Sequence, residues 1–267
     1  MNTNKPSSTL LFLERNEVFT LEEYMRAVDS EVSERTRYTN LANAVRRGQA
    51  YRARRGLYAS NLGVYRDRVP NVFVVASKAA PDASVSHHSA LELHGVAHTP
   101  LRTVYFTSRH NVNDFEVRGY RFVRLTPPKG LLDNDPLAFT VLVRSGDALV
   151  RATARERTLV DCLRDVDAAG GLEEVLRSVG GFASISTEPL RDYLALLDSP
   201  TLNARVGWAL ELFAAEWGVD RSFLEELAGR VGRGSYRLVR TAAAQRFVAR
   251  WRLYVPDGLP YEEWARG

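Results

Sequence analysis

The chain has 267 residues, of which 45% are hydrophobic and 25% charged, a balance that fits a folded soluble protein and excludes a largely disordered one. No apolar run approaches the roughly 20 residues that span a bilayer, and the opening stretch has only four consecutive apolar residues (10–13), so a cytoplasmic location without signal or membrane anchor is expected. A net charge of +4 favours anionic partners, and the single cysteine, Cys162, excludes an internal disulfide or a cysteine-cluster zinc site.

The first sixty residues predict three short helices and a hairpin. Residues 8–15 carry Leu10, Leu11 and Leu13 on a polar background. Thr20 and Glu23 form a capping-box pattern that opens a second helix, with Leu21, Tyr24, Met25 and Val28 on one apolar face. A third helix opens at Ser33 and stops at Gly48. Residues 49–60 alternate around Gly56 and predict a β-hairpin. Three helices and a hairpin are the plan of a winged helix-turn-helix, assigned to residues 1–62.

Charge is concentrated where that plan needs it. Residues 31–60 hold seven arginines against two glutamates. On the third helix, Tyr38, Leu41, Ala42 and Val45 are predicted to pack inward. The opposite face carries Thr36, Thr39, Asn40, Asn43 and Arg47, with no carboxylate among them, and these groups hydrogen-bond to base edges in a major groove. Arg35, Arg37 and Arg46 flank that face and suit phosphates, and the hairpin adds Arg52, Arg54 and Arg55 for a wing along the backbone or minor groove. The competing reading is a solvated polar face on a small helical domain.

After residue 62 the pattern predicts an α+β domain over 63–200 and a helix-and-strand extension packed on it over 201–267. Val72 to Ala76 read as a buried strand, residues 86–94 as a helix stopped by Gly95, and strands are expected at 103–107, 116–125, 139–143 and 148–152. Thr153 and Glu156 suggest a second capping box opening a helix with Leu159, Val160, Leu163 and Val166 inward, ended by Gly170 and Gly171. Helices follow at about 172–179, 187–197 and 202–216. Strands first and helices later indicate α+β rather than a βαβ repeat.

Several phrases along the chain resemble the AbiEi family of antitoxins, the transcriptional-regulator half of bacterial type IV toxin–antitoxin and phage-defence (abortive infection) operons. They are Arg55-Gly56-Leu57-Tyr58-Ala59, Ser86-His87-His88-Ser89-Ala90-Leu91-Glu92-Leu93-His94-Gly95, Val104-Tyr105-Phe106-Thr107-Ser108, Glu156-Arg157-Thr158-Leu159-Val160-Asp161 and Arg250-Trp251-Arg252-Leu253-Tyr254-Val255. Their order and spacing cover roughly residues 8–255. The resemblance implies a winged-helix domain that represses its own operon at repeat sequences. It also implies a C-terminal domain that counters a toxin resembling a nucleotidyltransferase.

Candidate chemistry elsewhere is sparse. His94 and His98 are four apart, as helical zinc ligands are, but Gly95 intervenes and Pro100 follows, so local hydrogen bonds or an interface are expected of the histidines. None of the three lysines has an acid two positions before it, as the common metal-dependent nuclease core requires. No phosphate-binding glycine loop is present, and no cofactor is expected. Asp161 and Asp165 share a helical face and are either metal carboxylates of a nucleic-acid or nucleotide enzyme, or ion-pair partners of Arg157 and Arg164. Residues 221–267 hold nine arginines against five acids, interleaved with aromatic residues. Residues 247–255 read as one strand with Arg250 and Arg252 on one face, which with Arg246 makes a second basic surface or a charge-protected edge.

The leading expectation is a non-enzymatic repressor and antitoxin that binds double-stranded DNA, its own promoter, with a homodimer on repeats and a cognate toxin as further partners. A metal-dependent enzyme using Asp161 and Asp165, and a scaffold that binds only protein, are the alternatives.

Overall fold

Caps set the first helices. In the computed structural model, which describes residues 7–28 and 31–266, Ser7 accepts from the Leu10 amide and opens α1 (Ser8–Arg15). Thr20 closes strand β1 (Val18–Thr20) and caps α2 (Leu21–Ala27). Its hydroxyl accepts from Glu23 N at 3.1 Å, while the Glu23 carboxylate accepts from Thr20 N at 2.7 Å. Ser33 caps α3 (Glu34–Arg46), and Gly48, at φ +71°, turns the chain away from it. Strands β2 (Ala50–Arg54) and β3 (Leu57–Ser60) then join β1 in an antiparallel sheet of order β1-β3-β2. Leu13, Phe19, Tyr24, Val28, Leu41, Ala44 and Tyr58 make the core of this unit. The buried Tyr24 hydroxyl ties its three helices together, bonding Thr9 Oγ1 at 2.9 Å and donating to the Arg37 carbonyl at 3.1 Å.

The central segment is mixed α and β, as its composition predicts, with one inversion. The Val72–Ser77 stretch, expected as a strand, is helix α4. Asn71 Oδ1 accepts from the amides of Phe73 and Val74, a cap that no strand offers, and Val75 and Ala76 are fully buried. There follow β4 (Ser84–Val85), α5 (His87–Leu93), β5 (Thr103–Thr107), β6 (Phe115–Val117), β7 (Tyr120–Leu125), α6 (Lys129–Asp133), β8 (Thr140–Ser145), β9 (Ala148–Thr153) and α7 (Arg155–Arg164). The sheet order is β6-β7-β5-β4-β9-β8, with β5–β7 and β4–β9 parallel and the other pairs antiparallel. The strand expected over 116–125 is in fact the β6–β7 hairpin. Arg118 and Gly119 both sit at positive φ (49° and 82°) between the paired Val117 and Tyr120, the geometry of a tight two-residue turn.

Helices α8 (Leu172–Gly180), α9 (Thr187–Leu197), α10 (Pro200–Leu212), α11 (Ala214–Trp217) and α12 (Arg221–Gly229) bury a second large core together with α5 and α7. Three local expectations fail here, the first being the end of α7, which stops at Arg164 rather than at Gly170 and Gly171. Ala154, not Thr153, occupies the cap position of α7. The Thr153 hydroxyl bonds Thr158 at 2.7 Å instead, and Glu156 accepts from the Ser186 amide at 2.9 Å. Residues 247–255 are not one strand. They contribute to β11 (Gln245–Val248) and β12 (Leu253–Pro256), which pair antiparallel around a single helical turn at Ala249–Trp251, and β10 (Tyr236–Arg237) adds parallel to β12 before α13 (Tyr261–Arg266). The break exists because Trp251 leaves the strand path to fill the core. Its ring packs directly against α10 at Gly207, and its indole N–H donates to Glu211.

Gly207 therefore exists for close approach, since a Cβ there would overlap the Trp251 ring. Gly207→Ala should cost about 1–3 kcal/mol and lower the thermal midpoint by several degrees. Adding Trp251→Phe should restore part of the loss in the double variant, measured by calorimetry.

Candidate functional site

Helix α3 (Glu34–Arg46) carries most of the side chains expected to face DNA. Leu41 and Ala44 are buried, and Arg37 and Val45 are partly so. Exposed residues are Glu34 at the first position and then Arg35, Thr36, Tyr38, Thr39, Ala42, Arg46 and Arg47. The outward ridge thus runs through Arg35, Thr39, Ala42 and Arg46, turned by somewhat less than one residue's rotation of about 100° from the face predicted from polarity alone. Asn40 and Asn43 stand at its edge and, with Arg47, line a cleft of about 230 Å³ shared with Ser7 and Leu10 of the α1 side. Tyr38 and Ala42, expected to pack inward, instead border a shallow hollow between α3 and β2, with Arg52 and Tyr58 opposite. Their exposure is the signal that polarity patterning missed.

Two of the arginines expected on this surface are used elsewhere. Arg37 turns back to the carbonyls of Met25 and Val28 and closes the C-terminal end of α2. A guanidinium at a helix C-terminus satisfies orphan carbonyls and complements the dipole, so its place is structural. Arg54 is displaced by a β-bulge. Arg52 pairs with Tyr58 and Arg54 with Leu57, so Ala53 is an extra residue and Arg54 faces away from Arg52. The Arg54 guanidinium donates to the Ala79 carbonyl and lies 5.7 Å from the Phe115 ring centre. Arg52 and Arg55 stay exposed on the hairpin.

The bulge matters because the three-stranded sheet is covered on both sides. Phe19, Ala50 and Tyr58 face the helices, whereas Val18, Leu57 and Ala59 belong to the core of the six-stranded sheet. An ion pair of Lys78 with Glu23, at 2.7 Å, crosses the same seam. Burial alone would raise the Glu23 carboxyl, but Lys78 and the Thr20 amide outweigh it and hold it below its ordinary value.

In the C-terminal part, the proposed second basic surface is largely consumed. Arg250 pairs with Glu211 and lies over Trp251, and Arg252, at φ +48°, donates to the Gly234 carbonyl. Arg246 stays exposed, 6.0 Å from the Tyr261 ring centre.

Of the acidic pair, Asp161 follows the ion-pair expectation, whereas Asp165 makes no ion pair among the described residues. Asp161 is fully buried, 3.3 Å from Arg157 Nε and 3.7 Å from Arg164 Nε, and accepts from the Tyr193 hydroxyl at 2.7 Å. Burial alone would raise its pKa, but Arg157, His87, Arg164 and Tyr193 together lower it. Arg157 is equally buried and also donates to the carbonyls of Pro136 and Ala138, so it staples α7 to the chain entering β8. Asp165 accepts from the Ala168 amide at 3.2 Å. Burial raises the Cys162 thiol well above its ordinary value, which leaves it a packed side chain. Among the described residues no group of three or more His, Cys, Asp and Glu gathers as for a metal ion. His94 Nε2 lies 2.8 Å from the Thr153 carbonyl, and His88 lies 3.3 Å from Glu174. The His98 side donates its backbone N–H to Glu174 at 3.0 Å.

No protein-family model matches the chain, and no curated protein matches it by sequence. Among solved structures, the chain is similar to the RV2827C protein from Mycobacterium tuberculosis, with 14% identity and a TM-score of 0.57 over 93% of this chain and 90% of that one. At that identity the likeness is one of fold. Among the described residues no helix is long and apolar enough to cross a membrane.

His87 offers a measurable consequence of the buried cluster. It is fully buried at φ +52°, with Nδ1 3.0 Å from Ser86 Oγ and no partner for Nε2 among the described residues. Burial, reinforced by Arg164 and Arg157 against Asp161 and Asp165, pushes it from 6.5 down to about 4. The folded state therefore binds fewer protons than the unfolded chain between those values. Its contribution is complete above pH 6.5 and is lost as pH falls towards 4, by about 3 kcal/mol. His87→Asn tolerates the left-handed backbone and should flatten urea-unfolding stability against pH across that window. The partly buried His94, also lowered, titrates in both proteins and cancels in the comparison.

Proposed function

We propose that this chain is a sequence-specific DNA-binding transcriptional repressor that autoregulates its operon and acts as antitoxin to a nucleotidyltransferase-like toxin. The observation that carries the DNA-binding part is the outward ridge of α3. It presents Arg35, Thr39, Ala42 and Arg46, with Arg52 and Arg55 on the adjoining hairpin and no carboxylate between them. The order α1-β1-α2-α3-β2-β3 supports the winged helix-turn-helix reading, on which α3 would enter the major groove and the hairpin lie along the backbone. Side chains on such a ridge sort by chemistry. Thr39 and Asn43 reach base edges, and the Ala42 methyl suits a thymine methyl. Arg35, Arg46, Arg47, Arg52 and Arg55 suit phosphates.

The antitoxin role rests on the resemblance of five phrases to AbiEi proteins. Repression at repeat sequences, a homodimer on DNA, a cytoplasmic setting and action by binding rather than catalysis belong to the same proposal. The buried, fully paired state of Asp161 supports that last element over an Asp161–Asp165 metal enzyme.

The test is a gel shift with DNA from upstream of the gene, run at two salt concentrations. Arg46→Ala should weaken binding to all sequences and reduce the slope of log affinity against log salt by about one. Thr39→Ala should cost about 1–3 kcal/mol at particular base pairs with the slope unchanged. Arg37→Ala should lower the thermal midpoint and leave the salt slope as it is. Unaltered binding by both the Arg46 and Thr39 variants would remove α3 from the interface.

A further inference from the structure

The two edges of the six-stranded sheet are treated differently. At one edge, Phe115 of β6 stacks on Phe122 at 4.7 Å, lies under the Arg54 guanidinium and packs into the core that the N-terminal sheet completes. At the other edge, β8 has no strand on its outer side among the described residues. Its sequence is Thr-Val-Leu-Val-Arg-Ser, a run of high strand propensity. Leu142 is 58% exposed and Val141 40%, and Leu149 of the neighbouring β9 is 61% exposed. Open edges are ordinarily blunted by proline, lysine or a bulge. Here β8 carries no proline or lysine and pairs with β9 in unbroken register from Thr140 to Ser145.

A groove of about 580 Å³ runs beside this edge, between β8, the end of α5 and the start of α7, lined by Leu93, His94, Leu142, Arg144, Arg155 and Glu156. The register sets Leu142 opposite Arg151 and Arg144 opposite Leu149, so apolar and cationic groups alternate on one face. Arg144, Arg151 and Arg155 form no ion pair among the described residues. The nearby Glu156 already accepts from the Ser186 amide. The edge is therefore apolar, hydrogen-bond-hungry and positively charged.

We propose that β8 is a docking edge for an extended acidic segment of another protein, which adds to the sheet as a further strand. Its main chain pairs with β8, its apolar side chains cover Val141 and Leu142, and its carboxylates meet Arg144 and Arg155. A second copy of this chain is the poorer occupant, because its β8 holds no acid to meet Arg144. The proposal stands whether or not α3 binds DNA.

A random dodecamer library displayed on phage and selected on the full chain tests it. Enriched peptides should combine apolar residues with an excess of Asp or Glu. A representative peptide should bind Arg144→Glu/Arg155→Glu about tenfold more weakly than the original chain, and Leu142→Ser should weaken it as well. Both sites are exposed, so the variants should keep the original thermal midpoint within about a degree or two. Absence of enrichment, selected peptides without an acidic excess, or affinity indifferent to the charge reversal would each overturn the proposal. So would a dimer in sedimentation that Leu142→Ser dissociates, since that result gives the edge to a second copy.

Discussion

Strand β3 has to satisfy two cores at once. All four of its residues are buried: Tyr58 joins Phe19 and Ala50 beneath the helices, and Leu57 and Ala59 join Val18 in the core of the larger sheet. A fully buried apolar side chain contributes about 1.5–3 kcal/mol, whereas a half-exposed ion pair such as Lys78–Glu23 contributes about 0–1. The apolar contact between the two sheets therefore decides how the N-terminal unit sits on the rest of the chain, and the ion pair follows it. The hairpin cannot swing as a free arm, because one of its faces is interior.

That constraint selects which basic groups meet solvent. The bulge at Ala53 lets the hairpin keep Arg52 outward on the helix side while Arg54 reaches into the seam towards Ala79 and Phe115. On α3 the same selection works through size and reach. Ala44 is small enough to let the helix approach its neighbours, and Arg37 buries its stem while its charged head finds the carbonyls of Met25 and Val28. What is left facing outward is a ridge whose charge has no internal employment.

The larger part of the chain spends its charge inwardly. Arg157, Asp161 and Tyr193 form a buried network that joins α7, α9 and the approach to β8, and Arg250 and Trp251 share Glu211 beneath the C-terminal hairpin. Breaking the Arg157–Asp161 pair leaves an uncompensated buried charge, which costs several kcal/mol and gives those residues a structural reason to be where they are. Arg35 and Arg46 of α3 and Arg144 and Arg155 at the β8 edge form no ion pair among the described residues, and that contrast separates scaffold from surface more clearly than composition does.

Elements governed by contacts a few residues apart could be read from the sequence. The Ser33 and Thr20 caps, the Gly48 stop and the hairpin around Gly56 all depend on hydrogen bonds and turns between near neighbours, which local residue types dictate. Most of the candidate surface, including Arg35, Thr39 and Arg46, was visible in the same way. Elements governed by distant contacts could not be read. Val72 to Ala76 has the residues of a strand yet becomes helix once Asn71 caps it and the sheet supplies a surface to bury Val75. Likewise the turning of α3, the inward path of Arg54, the break at Trp251 and the open edge at β8 arise only when segments remote in sequence compete for the same interior. Burial energies of that kind are properties of the packed pair, and no single segment carries them.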